Sequence, residues 1–147
     1  MEILSRRFFE SWDKSQAPFA IIEGSAATFL VPICDRNNIL NSSYGNKKEV
    51  YRFKTLDEML DWYASFVKQY DAYSGLDYYA KDPWNQDIRA KFFIKANAHG
   101  AGQAYYTTDH SAYNGKSLET YLVRDWLLFM NLVMDTRVRS QHRKIRS

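Results

Sequence analysis

Phe19-Ala20-Ile21-Ile22-Glu23-Gly24-Ser25-Ala26-Ala27-Thr28-Phe29-Leu30-Val31-Pro32-Ile33 holds two short apolar, β-branched runs separated by small residues. That is hairpin spacing, and it predicts two paired strands. Pro32 has no amide proton, so it places the second strand at a sheet edge or ends it early. Upstream, Leu4, Phe8 and Trp12 recur at i, i+4 and i+8 and Phe9 widens the stripe. Residues 2–14 therefore read as an amphipathic helix, closed by Pro18. Downstream, residues 35–48 are rich in Asn, Ser, Gly and Lys and read as an exposed loop. Val50-Tyr51-Arg52-Phe53 then supplies another strand.

Thr55-Leu56-Asp57-Glu58 is a capping box, in which the threonine hydroxyl takes the amide three residues on and the glutamate returns to the threonine amide. A helix starts there, and Leu56, Met59, Leu60, Tyr63, Phe66 and Val67 carry it at helical spacing to about Tyr70. Residues 71–87 hold Gly75 and Asp82-Pro83 and read as a long irregular connection carrying Tyr73, Tyr78, Tyr79 and Trp84. Residues 90–97 and 103–108 read as a second hairpin, with His99-Gly100-Ala101-Gly102 as its turn. Asn114-Gly115 marks a further turn, and Ser117 caps a last helix. From Leu118 to about Thr136 apolar residues nearly surround the axis, so this helix is expected to be central and buried. Lys54-Thr55-Leu56-Asp57-Glu58-Met59-Leu60 and Lys116-Ser117-Leu118-Glu119-Thr120-Tyr121-Leu122 align without gaps, and both read as capped helix starts. The expected fold is α+β: a single domain with an antiparallel sheet of about five strands, packed against two or three helices, one of them the long buried C-terminal helix.

The 147 residues fit one domain over 1–136 and a basic tail over 137–147. Five of the twenty Lys and Arg and none of the seventeen Asp and Glu fall in the tail, which leaves the body at −2 and the tail at +5. Arg137, Arg139, Arg143, Lys144 and Arg146 are thus the candidate contacts for a polyanion, nucleic acid or an acidic protein. A single cysteine, Cys34, excludes an internal disulfide and a cysteine-based zinc site, and its apolar neighbours suggest a buried, inert thiol. No run approaches the roughly 18 apolar residues of a membrane span and the first residues do not read as a signal peptide, so a cytoplasmic protein without membrane contact is expected.

Aromatics make up 16% of the chain, more than a core of this size absorbs, so some should sit at a partner surface. Residues 97–116 gather three of the six glycines and two of the three histidines. His99 and His110 lie too far apart for a metal motif, with only Asp109 near, so neither metal nor cofactor is expected. Ser111 beside His110 does not make a hydrolase pair, because neighbours on an extended segment point apart. The candidate partner-binding residues are Tyr73, Tyr78, Tyr79, Trp84, His99, Tyr105, Tyr106, Asp109, His110 and Tyr113, with no catalytic residue assigned.

Tyr105-Tyr106-Thr107-Thr108-Asp109-His110-Ser111-Ala112-Tyr113 resembles the second block of ADP-ribosyltransferases, an aromatic strand ending in Ser or Thr before an alanine and a tyrosine. The resemblance implies nucleotide or NAD chemistry at His99, Tyr105, Tyr106, Asp109 and His110. The family's first motif lies well upstream on a separate strand, whereas His99-Gly100 precedes Tyr105 by six residues, and no catalytic glutamate strand follows. A glycine-bearing hairpin before a Ser-Leu-x-x-Tyr-Leu helix is also similar to SUKH-type immunity domains, which neutralise bacterial toxins. That resemblance covers about 25 residues and implies an intracellular inhibitor. The leading expectation is a non-enzymatic protein-binding module, inhibitory or toxin-neutralising, acting through an aromatic and polar surface. The alternatives are a nucleotide-using enzyme and a nucleic-acid-associated protein using the tail.

Overall fold

A computed structural model of the chain describes residues 2–41, 52–77, 79–82, 85, 91–97, 104–107 and 110–124. Helix α1 (Glu2–Ser15) buries Phe9 and Trp12, with Phe8 edge-on to Phe9 at a centroid separation of 5.3 Å. Trp12 Nε1 donates to the Ala17 carbonyl at 2.8 Å, which turns the chain out of the helix. Gln16 stands there in a left-handed conformation (φ 51°), and Pro18 prevents the helix from resuming.

Strands β1 (Phe19–Glu23) and β2 (Ala27–Pro32) form the expected antiparallel hairpin. A Cβ at Gly24 would lie 2.9 Å from Leu60 Cδ2 and 3.2 Å from the Ala27 carbonyl oxygen, so glycine lets this turn sit close against a neighbouring helix. Pro32 ends β2 rather than marking an edge: β2 lies between β1 and the next strand. The loop expected from Asp35 is instead a 3-10 turn (Ile33–Asp35) leading into helix α2 (Arg36–Asn41), and Asp35 is fully buried. Arg36 pairs with Asp13 and lies over the Phe9 ring, tying α2 to α1.

Helix α3 (Leu56–Ser74) begins at the predicted cap, where the Glu58 amide donates to Thr55 Oγ1 at 3.1 Å. The return bond reaches the Lys54 amide at 2.6 Å, one residue earlier than a capping box requires. The helix runs four residues past Tyr70 and stops at Gly75, whose φ of 72° gives the left-handed C-cap. Tyr73, expected in a loop, is therefore helical. Phe29 of β2 meets Tyr63 edge-on at 4.9 Å, which seats α3 on one face of the sheet, while Trp62 stacks on Phe66 at 5.5 Å along the helix itself.

Strands β3 (Phe92–Ala96), β4 (Ala104–Tyr106) and β5 (Ser111–Tyr113) complete the sheet in the order β1-β2-β3-β5-β4. The sheet is mixed, not antiparallel. β2 and β3 run parallel because α2 and α3 carry the chain back to the starting end, the crossover that parallel neighbours require. The hairpin expected between 90–97 and 103–108 is not formed: β5 lies between them, parallel to β3 and antiparallel to β4. Of the expected strand at 50–53, Arg52 makes an isolated bridge to Val123, while Val50 and Tyr51 lie outside the described residues.

The last helix does not start at Leu118. Residues 119–122 form a 3-10 turn, and Val123 is extended (φ −133°, ψ 163°). Leu118, Tyr121, Leu122 and Val123 are all fully buried in this irregular backbone. Residues 125–136 lie outside the described residues. The coarse result is one mixed sheet with helices, an α+β fold.

Candidate functional site

Strand polarity determines which loops meet. β1 ends, and β2, β3 and β5 begin, at the same end of the sheet. The Gly24–Ala26 turn and the Thr107–His110 turn therefore emerge on one side, about two to three strand spacings apart, or roughly 10–14 Å.

Beside the first turn, the second half of α3 and the residues after Gly75 enclose a groove of about 540 Å³. Ala26, Ala64 and Ala72 leave the space, Val67 and Leu76 line it, and Lys68, Asp71, Asp77 and Tyr79 supply its polar rim. Asp77 builds the rim by accepting the Tyr79 amide on Oδ1 at 2.9 Å, while its own amide donates to the Asn85 carbonyl at 2.7 Å. This local Asx turn fixes the course of the chain just after α3. Tyr79 is 81% exposed and Tyr73, on the last turn of α3, 93% exposed. Tyr78 and Trp84 lie outside the described residues.

The second turn belongs to the β4–β5 hairpin. The Thr107 amide donates to the His110 carbonyl at 2.8 Å, the His110 amide to Thr107 Oγ1 at 3.2 Å, and Oγ1 lies 3.0 Å from His110 Nδ1. The His110 ring meets Tyr105 edge-on at 5.8 Å, and Asn97 Nδ2 donates to Tyr105 Oη at 3.1 Å. Tyr113 is half-buried and packs over Gly115, and Tyr106 pairs with Ser111 through the backbone. His99, Asp109 and the tail residues Arg137, Arg139, Arg143, Lys144 and Arg146 lie outside the described residues. The structure thus brings Tyr105 and His110 together, and sets Tyr73 on the last turn of α3 and Tyr79 in the segment after it. Ser111 Oγ is buried and has no hydrogen-bond partner among the described residues, so no His110–Ser111 relay exists in this geometry.

Sequence reasoning missed a second groove, of about 480 Å³, at the start of α3. It is lined by Asp57, Glu58, Asp61, Trp62 and Arg124, the last donating to Glu58 Oε1 at 2.5 Å and to the Arg52 carbonyl at 3.0 Å. The Lys54 amide, with Arg124 beside it, holds the Glu58 carboxyl below its ordinary range. No signal in the sequence joins residue 124 to residue 58. No cluster of three His, Cys, Asp or Glu able to hold a metal occurs among the described residues.

Cys34 corrects the expectation of a buried thiol, for it is exposed and its Sγ donates to the Lys116 carbonyl at 3.2 Å. Partial desolvation of the sulfur, and then the neighbouring Asp35 charge, push its pKa up, which disfavours the thiolate a nucleophile needs. None of the described helices is long and apolar enough to cross a membrane. No protein-family model matches the chain, and neither a curated protein nor a solved structure matches it.

Proposed function

We propose that the chain is a non-enzymatic protein-binding module, inhibitory or toxin-neutralising, that engages another protein in the cytoplasm through the α3 groove and its tyrosines. The observation that carries this reading is a groove lined by Tyr79, which is 81% exposed and whose amide Asp77 holds, with the 93% exposed Tyr73 on the last turn of α3. Large aromatics on a fixed backbone lose little entropy on binding, which is why such residues dominate protein interfaces.

The test is affinity capture from the native cell, followed by binding measurements on Tyr79→Ala and Tyr73→Ala. A partner whose affinity falls about thirty-fold on Tyr79→Ala, near 2 kcal/mol, with unfolding unchanged, supports the reading. A rise in melting temperature with NAD or a nucleotide, and no protein partner, would replace it with the enzyme alternative. Recovery of RNA or DNA, lost on deleting 137–147, would replace it with the tail-mediated one.

A further inference from the structure

Strand β1 is the edge of the sheet: among the described residues its neighbour is β2, and no strand lies on its other side. Its ladder shows which backbone groups face outward. The Gly24 amide donates to the Ala27 carbonyl at 2.8 Å and the Ile33 amide to the Pro18 carbonyl at 2.9 Å, one bond at each end of the β1–β2 register. In an antiparallel pair every second residue turns its backbone inward, so residues 18, 20, 22 and 24 serve β2. Phe19, Ile21 and Glu23 turn their N–H and C=O groups outward.

The same three residues are open at their side chains. Phe19 is 50% exposed and Ile21 62% exposed, while Ile22, on the opposite face of the strand, is buried. Proteins guard open edges with prolines, bulges or lysines, and none of these interrupts residues 19–23, whose register with β2 is continuous.

We propose that β1 is the contact between two copies of this chain, paired antiparallel about Ile21 so that the sheet runs on from one copy into the other. Ile21 then exchanges both backbone hydrogen bonds with the partner copy's Ile21, and Phe19 and Glu23 each exchange theirs with the other copy's Glu23 and Phe19. Every outward backbone group on the edge is satisfied by this one register.

Charge selects the antiparallel arrangement. Glu23 is the one charge on the strand, and it is ion-paired with Lys91 of its own chain. About the Ile21 axis the two Glu23 residues stand four positions apart, roughly 14 Å, whereas parallel pairing in register would put them about 5 Å apart. Area sets the strength. A five-residue strand with two apolar side chains covers far less than the roughly 1,200 Å² of a lasting complex, so the dimer is weak and concentration-dependent. This surface is distinct from the α3 groove, and the two proposals stand or fall separately.

The experiment is sedimentation velocity on the purified chain from about 10 µM to about 1 mM, a range that spans weak association. A shift from monomer to dimer is expected. Ile21→Lys and Ile21→Glu should each be monomeric alone and dimerise when mixed, because the two-fold axis sets residue 21 against itself. Ile21→Pro removes an outward N–H and no bond to β2, so it should keep its circular dichroism and lose the dimer. A chain monomeric at about 1 mM overturns the proposal, as does a dimer indifferent to Ile21→Lys or a charge mixture that stays monomeric. Capture of a different protein at this edge by an otherwise monomeric chain would assign the strand to that protein and overturn it equally.

Discussion

Ser117 donates its hydroxyl proton to Asp35 Oδ1 at 2.5 Å, across 82 residues of sequence. The adjoining Leu118 amide donates to Oδ2 at 2.6 Å, so one carboxylate ties the end of β2 to the 3-10 turn that buries Tyr121 and Leu122. Burial pushes the Asp35 carboxyl above its ordinary range, and the bonds from Leu118, Ser117 and Asn38 offset this only in part.

Asp35→Ala is expected to cost about 2–3 kcal/mol, because it strands the buried Leu118 amide and removes the partner of Ser117. Asp35→Asn keeps an acceptor and should cost less. Urea unfolding followed by tryptophan fluorescence measures both, and an alanine variant as stable as the parent would show that the tie is relaxed in solution.

The raised Asp35 pKa has a sign. Between its unfolded and folded values the folded chain binds more protons, so the Asp35 contribution to stability is greatest at low pH and falls as pH rises through that window. Glu58 opposes it, since a depressed carboxyl loses its contribution as pH falls. Asp35→Asn should therefore make stability rise more steeply with pH across the carboxylate range, as read from melting temperatures at a series of pH values.

Tyr63 Oη donates to the Tyr121 carbonyl at 2.7 Å in the core, and burial holds its phenol well above the ordinary value near 10. Tyr63→Phe should cost about 1–2 kcal/mol, the loss of one buried bond with its acceptor left behind. In an alkaline titration by ultraviolet absorbance, Tyr63 should stay silent until the chain unfolds, and Tyr63→Phe should leave the early phase unchanged.

Arg124 joins Glu58, the Arg52 carbonyl and the Phe53 ring, over which it lies at 4.6 Å. Its ion pair is partly exposed, so a double-mutant cycle with Glu58→Gln and Arg124→Met should return a coupling below about 1 kcal/mol. Arg124→Met alone should cost more than the coupling, because the ring and carbonyl contacts go with it. A coupling that equals the whole cost would assign the effect to the ion pair.

Sequence alone determined the elements whose causes are local. The stripe of Phe8, Phe9 and Trp12, the hairpin at 19–32 and the Thr55 cap each depend on residues within a few positions of one another, and each stands where the pattern put it. Exposure of Tyr79 was legible in the same way, from a polar segment with nowhere to bury its ring. Tertiary structure decided the rest. That β5 rather than β4 pairs with β3 depends on which strands reach the open edge of β3, and both orders satisfy the same alternation. Residues 118–123 carry a helix-like apolar pattern, yet they form a 3-10 turn and an extended Val123 held by the distant Asp35 carboxylate through the Leu118 amide, a tie that no local pattern announces. Asp35 reads as a loop residue and Cys34 as a core one, and the chain reverses both because burial follows from distant partners rather than from neighbours.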